Sequence, residues 1–507
     1  MRFFFGILLI SSTIGFSIAQ GEIKQVNRIE FQLLPYEKGY QIIPISMHGV
    51  LLFREIYVKD QYMLDIKLYN NDLQPIWGGY LPVDDYLYLA AFDVYEGNIA
   101  FLFAPRDINS QHMEIIYMRS SDGNYNYYMV DNKLPVYFAG FKITRFGALI
   151  GGYYDDRPLV YFFDYSTQQS KILPGFVNEP GELIQMQAYE DGSYEIITRG
   201  EHILQKQTLW IKYFSPLGNL LKSDMISSDP ANTLLTGRSM LLPGREQVLA
   251  GTYGNPNFDK SKGIFIVKID EDKNQKLQLY NYGELENFFS YMKQEKQEKL
   301  QQKIQRKKIT GKKLRYKYRV IIDDIFEHND QLVFIGHAYY PFYRYMRSSY
   351  ANTLMSGYLT RGKVLTDYRF THAIILGISK EGKLLWDNSF ELNNVLNDEL
   401  KPFVRAYQDT SHNSIALLYV FDNTVRSKII QENKVLTGKS IKPLNLSLSG
   451  DQIFPGHDSR MAGLENWYDN YFLSYGIQTI RNKNGSKSKF RRVFFLNKLS
   501  YEQAEEL

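Results

Sequence analysis

Residues Asp65–Leu81 read DIKLYNNDLQPIWGGYL: an alternating apolar run, a polar turn rich in Asn and Asp, and a second strand-like run. Period-two alternation broken by turn formers is the signature of a β-hairpin. The unit returns as IIYMRSSDGNYNYYMVD from Ile115, VYFFDYSTQQSKILPGF from Val160 and WIKYFSPLGNLLKSDMI from Trp210. It returns again as FIVKIDEDKNQKLQLYN from Phe265 and AIILGISKEGKLLWDNS from Ala373. Looser copies start at Ser427 (SKIIQENKVLTGKSIK) and Arg491 (RRVFFLNKLSYEQ).

Between these units lies a second hairpin whose second strand often ends in Gly or an aromatic residue. HGVLLFREIYV from His48, FDVYEGNIAFLFA from Phe92 and KITRFGALIGGYY from Lys142 are examples, followed by MQAYEDGSYEIITRG from Met186 and SMLLPGREQVLAGTYG from Ser239. IFEHNDQLVFIGHAY from Ile325, AYQDTSHNSIALLYVF from Ala406 and WYDNYFLSYGIQ from Trp467 continue the series. Two hairpins per unit of about fifty residues make four strands, the content of one propeller blade. The chain is therefore expected to be all-β, a single β-propeller of eight four-stranded blades, with seven as the alternative. The eighth unit runs out at the C-terminus without an outer strand, whereas IKQVNRIEFQLL (Ile23–Leu34) is a strand without a partner. The expectation is that this N-terminal strand completes the last blade and closes the ring, removing exposed sheet edges.

Aromatic residues make up 15% of the chain, which suits pleated, half-buried strands. A net charge of +4 over 507 residues argues against a nucleic-acid binder. The N-terminus, MRFFFGILLISSTIGFSIAQ, has one Arg, an apolar stretch and small residues at Ser17 and Ala19, the pattern of a secretory signal peptide over residues 1–19. Residues 20–507 then form the propeller domain. With no Cys and no second long apolar segment, the mature chain is expected to be exported without disulfides or a transmembrane segment, to the periplasm or the outer-membrane or cell surface of a bacterium.

The repeat breaks once, where 108 residues separate the units at Phe265 and Ala373. Two insertions explain the excess, at 285–319 and 341–371. The first follows the fourth strand of blade five and the second joins the second and third strands of blade six. In an antiparallel blade those two connections emerge on the same face. The first insertion opens with Leu285, Phe288, Phe289 and Met292 at helical spacing and continues in strong helix formers as far as Gly311, a stop signal. From Lys293 to Arg319 it holds twelve Lys or Arg against Glu295 and Glu298, so the rest of the chain is net acidic. Lys303, Arg306, Lys307, Lys308, Lys312 and Lys313 are the candidate electrostatic patch, suited to an acidic protein or to peripheral contact with anionic lipid headgroups. The bland alternative is a solvated charged helix. The second insertion is expected to be a loop rich in aromatic residues and Arg, with Tyr343, Arg344, Tyr345 and Arg347 as partner-binding anchors. Its bland alternative is a loop packed on its own blade.

No catalytic, cofactor or metal site is expected. Asp451, His457, Asp458 and Arg460 share one connection, but two potential ligands without a third at defined spacing read as an ordinary loop. Neither H-E-x-x-H nor G-x-S-x-G occurs. The hairpin GISKEGKLLW (Gly377–Trp386) is similar to the turn-plus-Trp element of quinoprotein dehydrogenase repeats, but most other units lack the Trp, which argues against a quinone cofactor. SKEGKLLW also misses the Asp of a sialidase Asp-box. From Ile23 to Gln503 the chain resembles secreted bacterial β-propeller repeat proteins in general architecture. The expectation is a non-enzymatic interaction subunit of an outer-membrane-associated or cell-surface assembly, with an envelope protein as partner. The alternative is a glycan-binding or glycan-cleaving propeller using its central funnel. Deleting 285–319 is expected to leave a folded ring.

Overall fold

The computed structural model describes residues 21–107, 110, 112–176, 180–202, 206–229, 231–255, 260–312, 314–323, 325–346, 362–454, 462–482 and 490–502. The expected leader at 1–19, together with Arg347, Lys313, His457, Asp458 and Arg460, lies outside them. Eight separate antiparallel sheets follow one another around a ring. Blade 1 spans Gln41–Pro82, blade 2 Leu87–Asp131, blade 3 Tyr137–Ile172, blade 4 Gly181–Ile226, blade 5 Thr233–Asn281, blade 6 Arg319–Asn397, blade 7 Arg405–Pro443 and blade 8 Asp451–Glu502. The count is eight, not seven.

Why these strands pack as a ring can be read from single segments. Asn98–Pro105 reads NIAFLFAP, and strand geometry sends successive side chains to opposite faces. Ile99, Phe101 and Phe103 enter the apolar cluster shared with blade 1, whereas Ala100, Leu102 and Ala104 enter the one shared with blade 3. Each middle strand thus buries both faces, and eight such clusters occupy the eight junctions between neighbouring blades. At about 25 cal/mol per Å² of apolar surface, these junctions supply the main driving force for the ring.

The last junction is closed by the N-terminal strand. Glu22–Leu33 pairs antiparallel with Phe490–Glu502 as the outer strand of blade 8, with Ile23 opposite Tyr501 and Leu33 opposite Arg492. Leu33 and Phe494 then pack with Val50 and Leu52 of blade 1. The two ends of the chain thereby hold one another in register across the seam.

The long connections emerge as the strand directions require. The stretch between Asn281 and Arg319 links the fourth strand of blade 5 to the first of blade 6, and the hairpin Gln331–Met346 with Gly362–Ser379 links the second and third strands of blade 6. Both belong to one face of the ring, called here the insertion face. Two expectations about them change. Leu285, Phe288, Phe289 and Met292 lie in consecutive turns, and the helix α1 covers only Gln294–Ile309. The backbone N–H groups of Glu286 and Asn287 go to the Asp387 carboxylate at 2.9 and 2.7 Å, while Ser290 and Met292 bond three residues back, so turns replace helix there. In its described parts, 341–346 and 362–371, the second insertion is strand where it was read as loop. Tyr340, Phe342 and Tyr343 pair with Arg369, Asp367 and Leu365, extending the blade 6 hairpin outward.

Candidate docking face

The first insertion is seated on the ring by its apolar residues. Leu285, Phe288, Phe289 and Ile304 are buried in the cluster between blades 5 and 6, with Leu300, Leu314 and Tyr316 packed against it. Phe288 stacks on the buried Tyr282 at 4.4 Å between ring centroids and meets His372 edge-on at 4.9 Å. Tyr291 lies flat on His372, 3.9 Å away with planes 6° apart. His372 is fully buried, and burial, followed by the neighbouring His337, pushes its pKa down to about 3, so the ring is neutral. Asn287 donates from Nδ2 to the Asp387 carbonyl at 2.9 Å, and Ser290 bonds Ser389 at 2.7 Å. The insertion is thus bound to the third and fourth blade 6 strands and is part of the core. Removing 285–319, which includes the first residue of the blade 6 inner strand, would open this cluster instead of leaving an intact ring.

The helix end determines where the cations go. Gly311 takes a left-handed conformation (φ 62°), its N–H bonds the Lys308 carbonyl at 3.2 Å, and the Lys312 N–H bonds the Lys307 carbonyl at 2.9 Å. This is a Schellman termination, and the glycine permits it at little cost. The chain is turned back beside the last helical turn. Lys308, Lys312, Arg315 and Lys317 come to line one groove of about 670 Å³, whose other wall is blade 5 with Lys262, Asn232, Asn255 and Tyr253. Lys262 donates from Nζ to the Asn232 side-chain oxygen at 3.1 Å. Glu284 also lines the groove, and its Oε2 accepts the Asn281 N–H at 2.8 Å. Burial first and then the Glu284 charge push the Tyr253 phenol up to about 12, so it stays neutral. Among the described residues, no carboxylate lies within ion-pair distance of Lys308, Lys312 or Arg315.

The patch expected from sequence therefore divides. Lys308 and Lys312 line the groove; Lys303 and Arg306 are exposed on the helix outside it, and Lys307 is partly covered, its ammonium 5.9 Å from the Tyr316 ring centroid. Tyr343 is half exposed on the extended blade 6 hairpin and does not line the groove; the backbone of Arg344 and Tyr345 continues that strand. Next to Tyr343, Arg369 lies 4.8 Å from the Phe342 centroid and 5.7 Å from that of Tyr340, an arrangement that stiffens the hairpin. Lys262, Arg315 and Lys317 were missed as site residues. Arg315 and Lys317 stood in the same charge run, whereas Lys262 is a lone cation in a strand and nothing local marked it.

A second concavity, about 370 Å³, lies over blades 6, 7, 8 and 1 and includes Arg405, Glu465, Glu399 and Lys401. Four of the five charged side chains that line it are paired with one another. Arg405 donates twice to Glu465 (3.0 and 2.7 Å), and Lys401 pairs with Glu399 at 2.7 Å. Asp451, singled out in the sequence, accepts from Arg491 and Asn482. Among the described residues no three His, Asp or Glu are grouped to hold a metal, and no helix is long and apolar enough to cross a membrane. Trp386 donates from its indole N–H to Gln331 at 2.6 Å, and a Cβ on Gly377 would run into its ring, so this Trp serves the packing of its own blade.

No family model matches the chain, and no curated protein matches it. Among solved structures it is similar to the polysaccharide lyase Uly1, at 9% identity and a TM-score of 0.39 over 94% of this chain and 99% of that one. It is similar to a prolyl endopeptidase at 8% identity and a TM-score of 0.40; the match covers 88% of this chain but only 55% of that enzyme. The β-propeller domain of the Trilobed protease from Pyrococcus furiosus matches at 10% identity and a TM-score of 0.35, over 84% and 97% of the two chains. These are likenesses of fold alone.

Proposed function

We propose that this propeller is a non-enzymatic interaction subunit, exported to a bacterial envelope, whose insertion face docks a protein partner. The observation that carries the reading is the combination of a rigidly seated insertion with three cations, Lys308, Lys312 and Arg315, that have no carboxylate within ion-pair distance among the described residues. A merely solvated helix would not need four buried apolar anchors and two backbone N–H bonds to Asp387. Pre-organised charge of this kind gives specificity and fast encounter with an oppositely charged surface. Tyr343 on the blade 6 hairpin supplies an exposed aromatic on the same face. The paired carboxylates of the other concavity support a structural role for its charges over acid–base chemistry.

The test is affinity capture from native envelopes with the full chain, comparing wild type with a Lys303→Glu/Arg306→Glu/Tyr343→Ala variant. A stoichiometric partner whose recovery falls at least about fivefold in the variant is expected, since interface anchors cost upwards of about 1 kcal/mol each. Equal recovery from both forms would rule out this face as the docking surface.

A further inference from the structure

We propose that the groove between blade 5 and the chain returning from α1 binds an acidic peptide segment; this rests on the interaction-subunit reading and names the chemistry of the partner. Five cations reach the groove from three separate stretches: Lys262 from the third strand of blade 5, Lys308 from the last helical turn, and Lys312, Arg315 and Lys317 from the return. Glu284 is the one carboxylate in the described wall, and it is occupied in capping the turn at Asn281. Lys308, Lys312 and Arg315 are exposed, so the field they create points into an accessible cleft. Its volume of about 670 Å³ falls in the range of ligand clefts.

The surroundings select among polyanions. A membrane surface needs an apolar rim to accompany the cations. Here Ile304 is buried, and Leu300 and Leu314 pack into the core cluster, leaving Ile309 as the exposed apolar side chain of this helix end. Anionic sugars and single-stranded nucleic acids are gripped by aromatic faces as well as charge. Tyr253 is the aromatic residue of the described wall, and at 6% exposure it offers no stacking surface. An acidic peptide needs neither. Its carboxylates meet Lys and Arg, and its backbone finds a donor and an acceptor in the Asn255 amide.

The experiment is fluorescence anisotropy on the full chain in about 150 mM salt, where the screening length is about 8 Å. The probe is a fluorescein-labelled peptide of alternating Glu and Gly, with its Gln counterpart, a sulfated oligosaccharide and phosphatidylglycerol vesicles as competitors. Binding of the Glu peptide, loss of about tenfold affinity on exchange of Glu for Gln, and a similar loss in Lys312→Glu/Arg315→Glu are expected. The matched control is Lys296→Glu/Lys299→Glu. It makes the same change in charge, and Lys296 lies about 18 Å along the helix from Lys308, so the loss should stay below about twofold. The inference is overturned if the wild type does not bind the peptide, if both double variants lose affinity equally, or if the oligosaccharide or vesicles bind more tightly than the peptide. Should the groove fail in this way while envelope capture still depends on Lys303, Arg306 and Tyr343, the interaction-subunit reading stands and only the groove assignment falls.

Discussion

Blades 6 and 8 depart from the regular four-strand pattern in the same way. Each has its inner strand in two pieces, Arg319–Ile322 with Phe326–His328 and Asp451–Ile453 with Ala462–Asn466. Each extends the hairpin between its second and third strands; blade 6 alone of the two follows a long connection from the preceding blade, since only 444–450 separate blades 7 and 8. They differ in what happens to charge. In blade 8, Arg491 bridges Glu30 and Asp451 (3.0 and 2.5 Å), and Arg28 donates to Glu30 at 2.8 Å, with the Asp451 side chain wholly buried. That network joins the N-terminal closing strand to the elaboration, so its charges serve the seam. In blade 6 the seating is done by aromatic stacking and Asp387, and beyond it Lys308, Lys312 and Arg315 have no carboxylate within ion-pair distance among the described residues. The comparison suggests a criterion: compensated charge on an elaborated blade is structure, and uncompensated charge on a rigid support is available to a partner.

The largest effect should come from the seat of the blade 6 elaboration. Phe288→Ala removes a fully buried ring between blades 5 and 6 and should cost about 3–5 kcal/mol, read as a lowered denaturant midpoint. A loss under about 1 kcal/mol would mean that the insertion is not part of the core. Next comes the blade 8 network. Arg491→Ala leaves the buried Asp451 without its cation and should cost about 2–3 kcal/mol near neutral pH. Its pH dependence has a definite sign. Burial pushes the Asp451 carboxyl up, but hydrogen bonds from Arg491 and Asn482 and the Arg491 charge outweigh it, holding the group below its ordinary 3.8. Glu30 is likewise held below 4.5: burial raises it, while Ser447 and Arg28 lower it further. Depressed carboxyls contribute stability above their unfolded values and lose it as pH falls through the folded ones. The gap between wild type and Arg491→Ala should therefore be full above about pH 5 and shrink below 3.8, checked by chemical denaturation across that range. A gap that widens in acid would contradict the network. The smallest effect belongs to Lys312→Glu/Arg315→Glu, which should change stability by less than about 0.5 kcal/mol because these side chains are exposed and unpaired among the described residues. A larger cost would make these cations structural and erase the contrast between the two blades.

Much of this was legible in the sequence. The hairpin at Asp65–Leu81 and its returns gave four strands per unit and eight units, because strand alternation and turn residues are encoded within windows of about ten residues. The unpartnered run from Ile23 identified the closing strand, and Gly311 identified the helix stop, since a left-handed residue is written directly in the choice of glycine. What failed was also local. Leu285–Met292 has helical spacing, yet its N–H groups are claimed by Asp387, about one hundred residues away in sequence. Pro341–Met346 looked like a loop because aromatic and Arg residues carry no clear alternation, and pairing with 362–368 made it strand.

The sequence by itself determined the repeat, the four-stranded unit, the face on which both insertions emerge and the positive sign of the first. Only the tertiary structure decided that Lys262 would meet Lys308, Lys312, Arg315 and Lys317, and that Lys303 and Arg306 would not join them. The physical reason is that periodicity is a property of neighbouring residues, whereas a groove is made where a closed ring and an αL turn bring distant walls together.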